Sequence, residues 1–240
     1  MPAGLTTIPM SATANQLPPA DVADVRTGVA EPPTPLLRGV LHLAVAVFAP
    51  VGLVLLILIA DSPRRYVAAA IFATSLILLY ATSASYHIVP WPGRRSDIMA
   101  RVDHSMVFVL IAGTYTPFCL VTLDYAWGIP MLAVVWSLAA AGILLAIAWP
   151  RAPRWLDVGL CLGLGWIGVI AATQLLSNLA GTPFAMLLAG GVLYSIGAIV
   201  YATRRPDPFP RVFGFHEVFH IFVVAGSLLH FTVIAAYVIN

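Results

Sequence analysis

Seven apolar segments, each long enough to form a membrane-spanning helix, follow one another between residues 38 and 238. A helix needs roughly 20 apolar residues to cross the hydrocarbon core of a bilayer. Charged residues make up only 9% of the chain, whereas about a quarter is typical of soluble domains. The sequence therefore predicts an all-α polytopic membrane protein with a seven-helix transmembrane bundle. The predicted helices span residues 38–60, 66–88, 99–121, 127–148, 156–177, 183–202 and 213–238.

The residues before the first apolar segment have a different composition. Residues 1–36 are polar and rich in proline, and they lack the basic start and short apolar core of a signal peptide. We expect residues 1–36 to form a disordered cytoplasmic tail. Residues 37–240 are then expected to form a single seven-helix transmembrane domain.

The basic residues indicate which way the helices run. All twelve are arginine, and only Arg64 and Arg65 lie on one side of the predicted bundle, against ten on the other. Because basic loops remain cytoplasmic, we predict an N-terminus inside and a C-terminus outside the inner (plasma) membrane. A chain without lysine cannot form a retinal Schiff base. Arginines scattered over short loops do not indicate nucleic-acid binding.

Ionisable side chains inside membrane spans are costly, which makes them candidates for function. Three segments far apart in the sequence carry such groups near the predicted cytoplasmic face. We expect these groups to meet in one layer of the bundle. They are Ser83 and His87 in the second helix, Asp103 and His104 in the third, and His216, Glu217 and His220 in the seventh.

Two of these histidines have the spacing of metal ligands. His216 and His220 are one helical turn apart and share a face. Catalytic zinc usually takes three protein ligands and leaves one position for water, so His87 is the expected third ligand of Zn²⁺. Asp103 would hold that water or act on it as a base. Ser83, one turn from His87, is the second candidate catalytic residue, although its hydroxyl could simply bond its own backbone.

The remaining histidines are interpreted separately. His42, alone near the end of the first span, is interpreted as an interfacial residue. For His104 the sequence leaves packing and function open. His230 lies about 15 Å deeper than His220 at 1.5 Å per helical residue. We expect it to form a buried hydrogen bond or line a cavity, and not to bind the same metal.

Glycines recur on two of the predicted helices. Closely spaced glycines leave a thin helix surface against which a neighbouring helix can pack. We therefore expect close helix contacts along the fifth and sixth helices. The glycines concerned are Gly159, Gly163, Gly165 and Gly168 on the fifth helix, and Gly190, Gly191 and Gly197 on the sixth.

The segment "HEVFH" also fits the H-E-x-x-H pattern of zinc metalloproteases, in which the glutamate is the general base. No acidic residue follows Glu217, and His230 is the only later histidine. The third ligand would have to come from upstream in the chain. An intramembrane metalloprotease therefore remains a minor alternative.

Four stretches of the sequence resemble the hemolysin III family, the bacterial branch of the progestin and adipoQ receptors. They are "RGVLHL", "SASYH", "RVDHSMVFVLIAGTYTPF" and "FHEVFH", and the resemblance covers essentially everything after the tail. It implies a seven-helix bundle with zinc near the cytoplasmic leaflet. It also implies the ligands His87, His216 and His220, with Asp103 contacting the water at the metal and Ser83 beside it.

The wider superfamily resembles lipid amide hydrolases, including alkaline ceramidases. The leading hypothesis is therefore a zinc-dependent hydrolase acting on an amide or ester bond of a membrane lipid, with membrane lipids as its partners. A receptor or membrane-state sensor would use structural zinc to join the second and seventh helices. A pore-forming haemolysin is the third possibility, although the spans show no charged stripe that would line a pore.

Overall fold

The computed structural model describes residues 34–150 and 152–240. Within these ranges seven helices are long and apolar enough to cross a membrane, so the predicted seven-helix fold is confirmed. Residues 1–33, most of the predicted tail, lie outside the described residues. The helices are α1 (Val40–Ile59), α2 (Pro63–Ile88), α3 (Arg94–Thr122), α4 (Tyr125–Ala148), α5 (Arg154–Asn178), α6 (Thr182–Thr203) and α7 (Phe215–Ile239).

The outer surface of the bundle is apolar, as expected for a surface in contact with lipid. Leu58 is 74% exposed, Phe48 is 71% exposed and Ile170 is 67% exposed. The exposure of so many large apolar side chains would be unfavourable in water, whereas the acyl chains of a bilayer solvate them. Polar side chains are found mainly at helix ends and in the interior. The chain is therefore a multi-pass membrane protein.

Neighbouring helices in the sequence are also neighbours in space. Contacts between α1 and α2, α2 and α3, α3 and α4, and α6 and α7 are extensive, and α5 packs against α3, α4 and α6. Contacts between α1 and α7 close the bundle. About half of α2 and of α3 is buried inside the protein, whereas α1, α5 and α6 are mostly exposed to lipid.

The helical geometry of α5 changes part-way along its length. A tighter 3₁₀ segment, Ile167–Ala171, interrupts it. The hydroxyl of Tyr115 on α3 donates to Gly165 O at 2.6 Å and accepts from Gly168 N at 2.8 Å. Tyr115 thus satisfies backbone groups at the change of geometry and attaches α5 to α3.

The glycines predicted to pack neighbouring helices fall into two groups. A Cβ added at Gly190 would collide with the ring of His230, so α6 and α7 approach closely there, as predicted. A Cβ added at Gly159, Gly163 or Gly165 would meet no atom within 4 Å. The prediction of close packing is wrong for these three positions, because a side chain added there would meet no neighbouring helix and the residues are exposed.

The segment entering α1 is attached to the loop that precedes α7. Leu36 N donates to Arg211 O and Leu37 N donates to Val212 O, both at 3.1 Å. Arg38 follows directly, and its Nε donates to Glu217 Oε1 at 2.6 Å. These contacts bring the start of α1 beside the start of α7.

Candidate metal centre

Four helix ends meet at one end of the bundle and supply the polar side chains of the site. His87 lies in the last turn of α2, Asp103 lies in the third turn of α3, and His216 and His220 lie in the first two turns of α7. The start of α1 adds His42. The structure therefore brings together the residues that the sequence places in one layer.

The three predicted metal ligands form a compact group. One ring nitrogen from each of His87, His216 and His220 lies within 4.8 Å of the other two. Nε2 of His216 is 3.1 Å from Nε2 of His87. His216 and His220 are 6% and 2% exposed, so the group is enclosed by protein.

These residues fit a divalent metal ion. Two nitrogens bound to one tetrahedral zinc, each at 2.0–2.1 Å, are about 3.4 Å apart, close to the 3.1 Å between His87 and His216. The three histidine side chains are thus close enough together to bind one metal ion.

Asp103 stands next to this group. Its Oδ2 is 3.9 Å from Nε2 of His87, and its side chain is 15% exposed. That distance is too long for a hydrogen bond but leaves the carboxylate next to the ligand nitrogens. Asp103 also lines the cavity described below, so it can reach a molecule held beside the histidines.

Ser83 contacts His42, which the sequence alone indicates to be an interfacial residue. Ser83 Oγ lies 2.8 Å from Nδ1 of His42, so its hydroxyl does not have to bond its own backbone. His42 is 3% exposed, and its ring stacks on His220 with 3.6 Å between centroids and 16° between planes. The interpretation of His42 as interfacial is wrong, because α1 turns this side chain into the bundle.

Glu217 is directed away from the three ligands' meeting point. Arg38 Nε donates to its Oε1 at 2.6 Å, and Gly214 N donates to its Oε2 at 2.7 Å. Both oxygens are thus used at the start of α7. Glu217 is not among the described residues that line the cavity. This arrangement gives no support to a metalloprotease in which Glu217 is the base.

A cavity of about 220 Å³ extends from the histidines into the bundle. Its polar end contains the three ligands, Asp103, Ser83 and His42. Most of its remaining wall is apolar, with Leu79, Val107 and Ile111 as examples. The cavity could therefore take a molecule that has a polar group at one end and a hydrocarbon chain at the other.

The other two histidines also line this cavity without joining the metal group. His104 Nδ1 donates to Ala100 O at 2.8 Å. His230 Nε2 donates to Leu187 O at 3.0 Å, which confirms the predicted buried hydrogen bond. Backbone carbonyls therefore fix the orientation of both rings.

Comparison with known proteins agrees with this architecture. The family described as "Haemolysin-III related" matches residues 31–231, which include every residue of the site. The chain belongs to the haemolysin-III-related family. The resemblance predicted from the four sequence stretches is therefore confirmed.

Relatives are found in bacteria and in eukaryotes. "Hemolysin-3 homolog" of Bacillus subtilis (strain 168) is 38% identical over 170 residues, which are 71% of this chain and 76% of that protein. "Hemolysin-3" of Bacillus cereus is 38% identical over 175 residues, or 72% and 76%. "Adiponectin receptor protein" of Drosophila melanogaster is 26% identical over 192 residues, 71% of this chain and 42% of that protein. This member of the haemolysin-III-related family thus also resembles the adiponectin receptors.

The site includes two residues whose positions the sequence does not reveal. His42 and Tyr80 both contact the site from within the bundle, with the ring of Tyr80 edge-on to His42 at 4.9 Å. His42 lies in the stretch "RGVLHL", which resembles the family but indicates no contact for this side chain, and Tyr80 lies in none of the four stretches. The one available signal was the cost of placing a histidine in an otherwise apolar helix, and this signal does not name a partner.

Proposed function

We propose that this protein is a zinc-dependent hydrolase that cleaves an amide or ester bond of a membrane lipid. The observation that carries the proposal is the position of the His87, His216 and His220 group. It lies at the polar end of a largely apolar cavity, beside a carboxylate and a hydroxyl. A soluble substrate would not need such a long apolar wall.

The three imidazoles would hold the ion, and this donor set is typical of catalytic zinc. When bound, zinc would supply Lewis-acid chemistry, polarising a carbonyl oxygen and lowering the pKa of a nearby water. In this proposal Asp103 Oδ2 takes a proton from the attacking water and returns it to the leaving group. The hydroxyl of Ser83 donates to the carbonyl oxygen as negative charge develops on it.

The apolar wall has its own part in the reaction. Leu79, Val107 and Ile111 line the cavity beyond the polar end and would hold the hydrocarbon chain of the lipid. Holding the hydrocarbon chain keeps the lipid carbonyl next to Asp103 and Ser83. The reacting groups are then already in position when water attacks the carbonyl, which lowers the entropic cost of the reaction. The same side chains exclude bulk water, which strengthens the electrostatic interactions within the site.

The orientation of the protein belongs to the same proposal. Counted along the sequence, ten of the twelve arginines fall before α1 or in and beside the α2–α3, α4–α5 and α6–α7 connections, whereas Arg64 and Arg65 follow the α1–α2 connection. The distribution of basic residues supports an N-terminus inside, a C-terminus outside and a zinc site near the cytoplasmic face of the inner membrane.

The experiment compares zinc content with turnover in the same preparation. The protein is purified in mild detergent, its zinc per chain is measured, and it is incubated with lipids carrying labelled amide- and ester-linked chains. We expect one zinc per chain and release of the labelled acid. Asp103→Asn should retain zinc and lose about 10²- to 10⁴-fold in turnover, the usual contribution of a general base.

The matched control is Asp97→Asn, which changes an exposed carboxylate in the first turn of the same helix. It should leave zinc content and turnover unchanged. Full turnover in Asp103→Asn would exclude this carboxylate as the base. Absence of turnover by the zinc-loaded wild type on the whole lipid panel would contradict the hydrolase.

A sensor with structural zinc is the second candidate, because the three ligands join α2 to α7. This function predicts zinc at one per chain, no turnover, and a large loss of stability on chelation. The relative from Bacillus cereus is named "Hemolysin-3", and red-cell lysis by the purified protein tests that activity directly. Lysis that survives in Asp103→Asn would be separate from the hydrolase.

A further inference from the structure

His42 makes contacts that three metal ligands do not require. Its Nδ1 is 2.8 Å from Ser83 Oγ, and its ring lies flat against that of His220. The side chain is 3% exposed. Its other ring nitrogen, Nε2, is buried without a hydrogen-bond partner in the part of the chain that the structure describes. Nδ1 thus has a partner and Nε2 has none. This difference indicates which atom donates in the hydrogen bond between His42 and Ser83.

A neutral imidazole carries one ring proton, and the position of that proton is inferred from its surroundings. A proton on Nε2 of His42 would leave an N–H group buried with no acceptor among the described residues, which is energetically costly. A proton on Nδ1 would instead be donated to Ser83 Oγ, and only a lone pair on Nε2 would lack a partner. Buried N–H groups without acceptors are rarer than buried acceptors without donors, which favours the Nδ1–H form.

We propose that His42 is a positioning residue whose Nδ1–H donates to Ser83 Oγ and thereby directs the hydroxyl hydrogen of Ser83 into the cavity. His42 and Ser83 both line the polar end of that cavity. The bond to His42 is the one hydrogen bond that Ser83 Oγ makes to described residues. That the Ser83 hydroxyl hydrogen is donated to a lipid carbonyl rests on the proposed function. The position of the proton on Nδ1 of His42 does not.

This assignment excludes a different role for the same pair. A serine nucleophile must donate its proton to an unprotonated ring nitrogen, as in Ser–His hydrolases. When Nδ1 of His42 is the donor, Ser83 keeps its proton and cannot be activated by His42. Ser83 is then a hydrogen-bond donor to the reacting carbonyl, and no covalent intermediate forms on it.

The proton can be located by solid-state NMR of the protein in bilayers, with histidine labelled with ¹⁵N at Nδ1 only. Protonated and unprotonated ring nitrogens give separate signals. Two histidines serve as internal references, because a carbonyl only accepts: His104 donates from Nδ1 to Ala100 O, and His230 donates from Nε2 to Leu187 O. We expect His42 to have the pattern of His104. The pattern of His230 would overturn the proposal.

The signals of His42 are assigned by their loss in His42→Asn. If that variant does not fold, they are assigned by their shift in Ser83→Ala. This measurement needs no substrate, so it decides the proton position even if the wild type cleaves no lipid. Failure of the proposed hydrolase and failure of the His42 assignment are therefore distinguishable.

Two variants test the positioning role. His42→Phe keeps a ring against His220 but cannot donate, and His42→Asn offers an amide N–H to Ser83 without the ring. Both should retain one zinc per chain. We expect His42→Phe to lower kcat about 10- to 100-fold with little change in KM, the usual effect of a misplaced group. His42→Asn should recover most of the loss.

A double-mutant cycle completes the test. If His42 acts through Ser83, then Ser83→Ala in the His42→Phe background should cost little more than either change alone. Full additivity of the two losses, or equal activity of His42→Phe and His42→Asn, would show that His42 does not position Ser83.

Discussion

At the scale of single residues, the carboxylate of Glu217 has two partners that fix it at the start of α7. Arg38 donates to Oε1 and Gly214 N donates to Oε2, at 2.6 Å and 2.7 Å. The side chain of Glu217 is 3% exposed and that of Arg38 is 13% exposed. A buried ion pair with these contacts is costly to break, because the remaining charge loses its counter-charge.

Replacement of Glu217 separates a structural role from a catalytic one. Glu217→Ala leaves Arg38 without its counter-charge and should reduce the free energy of unfolding by about 3 kcal/mol, the usual cost of breaking a buried pair. Glu217→Gln keeps an oxygen for Gly214 N and should lose less. Thermal unfolding in detergent measures both.

Activity of the same variants addresses the metalloprotease alternative. Glu217→Gln should retain its zinc and its lipid turnover, because neither carboxylate oxygen faces the cavity. A folded, zinc-loaded Glu217→Gln without activity would instead favour Glu217 as the base.

At the scale of helices, α6 and α7 approach each other closely at Gly190. An added Cβ there would collide with the His230 ring and would lie 3.3 Å from Gly226 O. Gly226 faces back, since its own added Cβ would lie 3.1 Å from Gly190 O. Two glycines on opposite helices thus let the backbones meet and keep the His230 ring against α6.

Gly190→Ala should therefore destabilise the bundle by about 1–3 kcal/mol, the usual cost of overpacking. Gly163→Ala is the matched control, because its Cβ would meet no atom within 4 Å and alanine is the better helix former by about 1 kcal/mol. Thermal midpoints of the two variants in the same detergent give the comparison. Equal destabilisation by both changes would argue against a tight α6–α7 contact at Gly190.

The helices follow from the sequence much more closely than their contacts do. The first predicted helix, 38–60, corresponds to Val40–Ile59, because hydropathy alone sets the length of a span. The third begins at Arg94 and not at 99, since the helix continues into polar residues beyond the apolar stretch. Which glycines face a neighbour depends on helix rotation, and this was predicted wrongly for three of the four glycines of α5, although Gly168 does meet Tyr115 of α3.

The candidate site divides in the same way. His216 and His220 were predictable because their spacing is local to one helix. The contacts of His42 were not predictable, because they depend on how α1 packs against α2 and α7, and no local sequence pattern indicates that packing. A lone histidine in an apolar helix looks the same whether it faces lipid headgroups or another ring.

At the scale of the whole molecule, the three imidazoles connect elements that are far apart in the chain. His87 and His216 are 129 residues apart, yet their Nε2 atoms lie at 3.1 Å. An ion bound there would join the end of α2 to the start of α7. Binding to the folded state alone stabilises a protein by about 2.7 kcal/mol when the free ligand is at 100 times Kd.

Zinc should therefore raise the thermal midpoint of the wild type in a concentration-dependent way, and a chelator should reverse the effect. His220→Ala removes one of the three ligands and should abolish the response to zinc. His104→Ala is the matched control, because His104 lines the same cavity outside the ligand group. A midpoint insensitive to zinc in the wild type would contradict the metal centre.

The distance in sequence between α2 and α7 has a consequence for biosynthesis. A ribosome delivers His42, Ser83 and His87 to the membrane long before His216 and His220 leave the exit tunnel. For most of translation the nascent chain therefore contains only one of the three candidate ligands, His87. The full set is present only after the seventh span has inserted. If the proposed metal centre binds its ion through all three histidines, the ion would bind last, and a chain truncated before α7 would not retain metal.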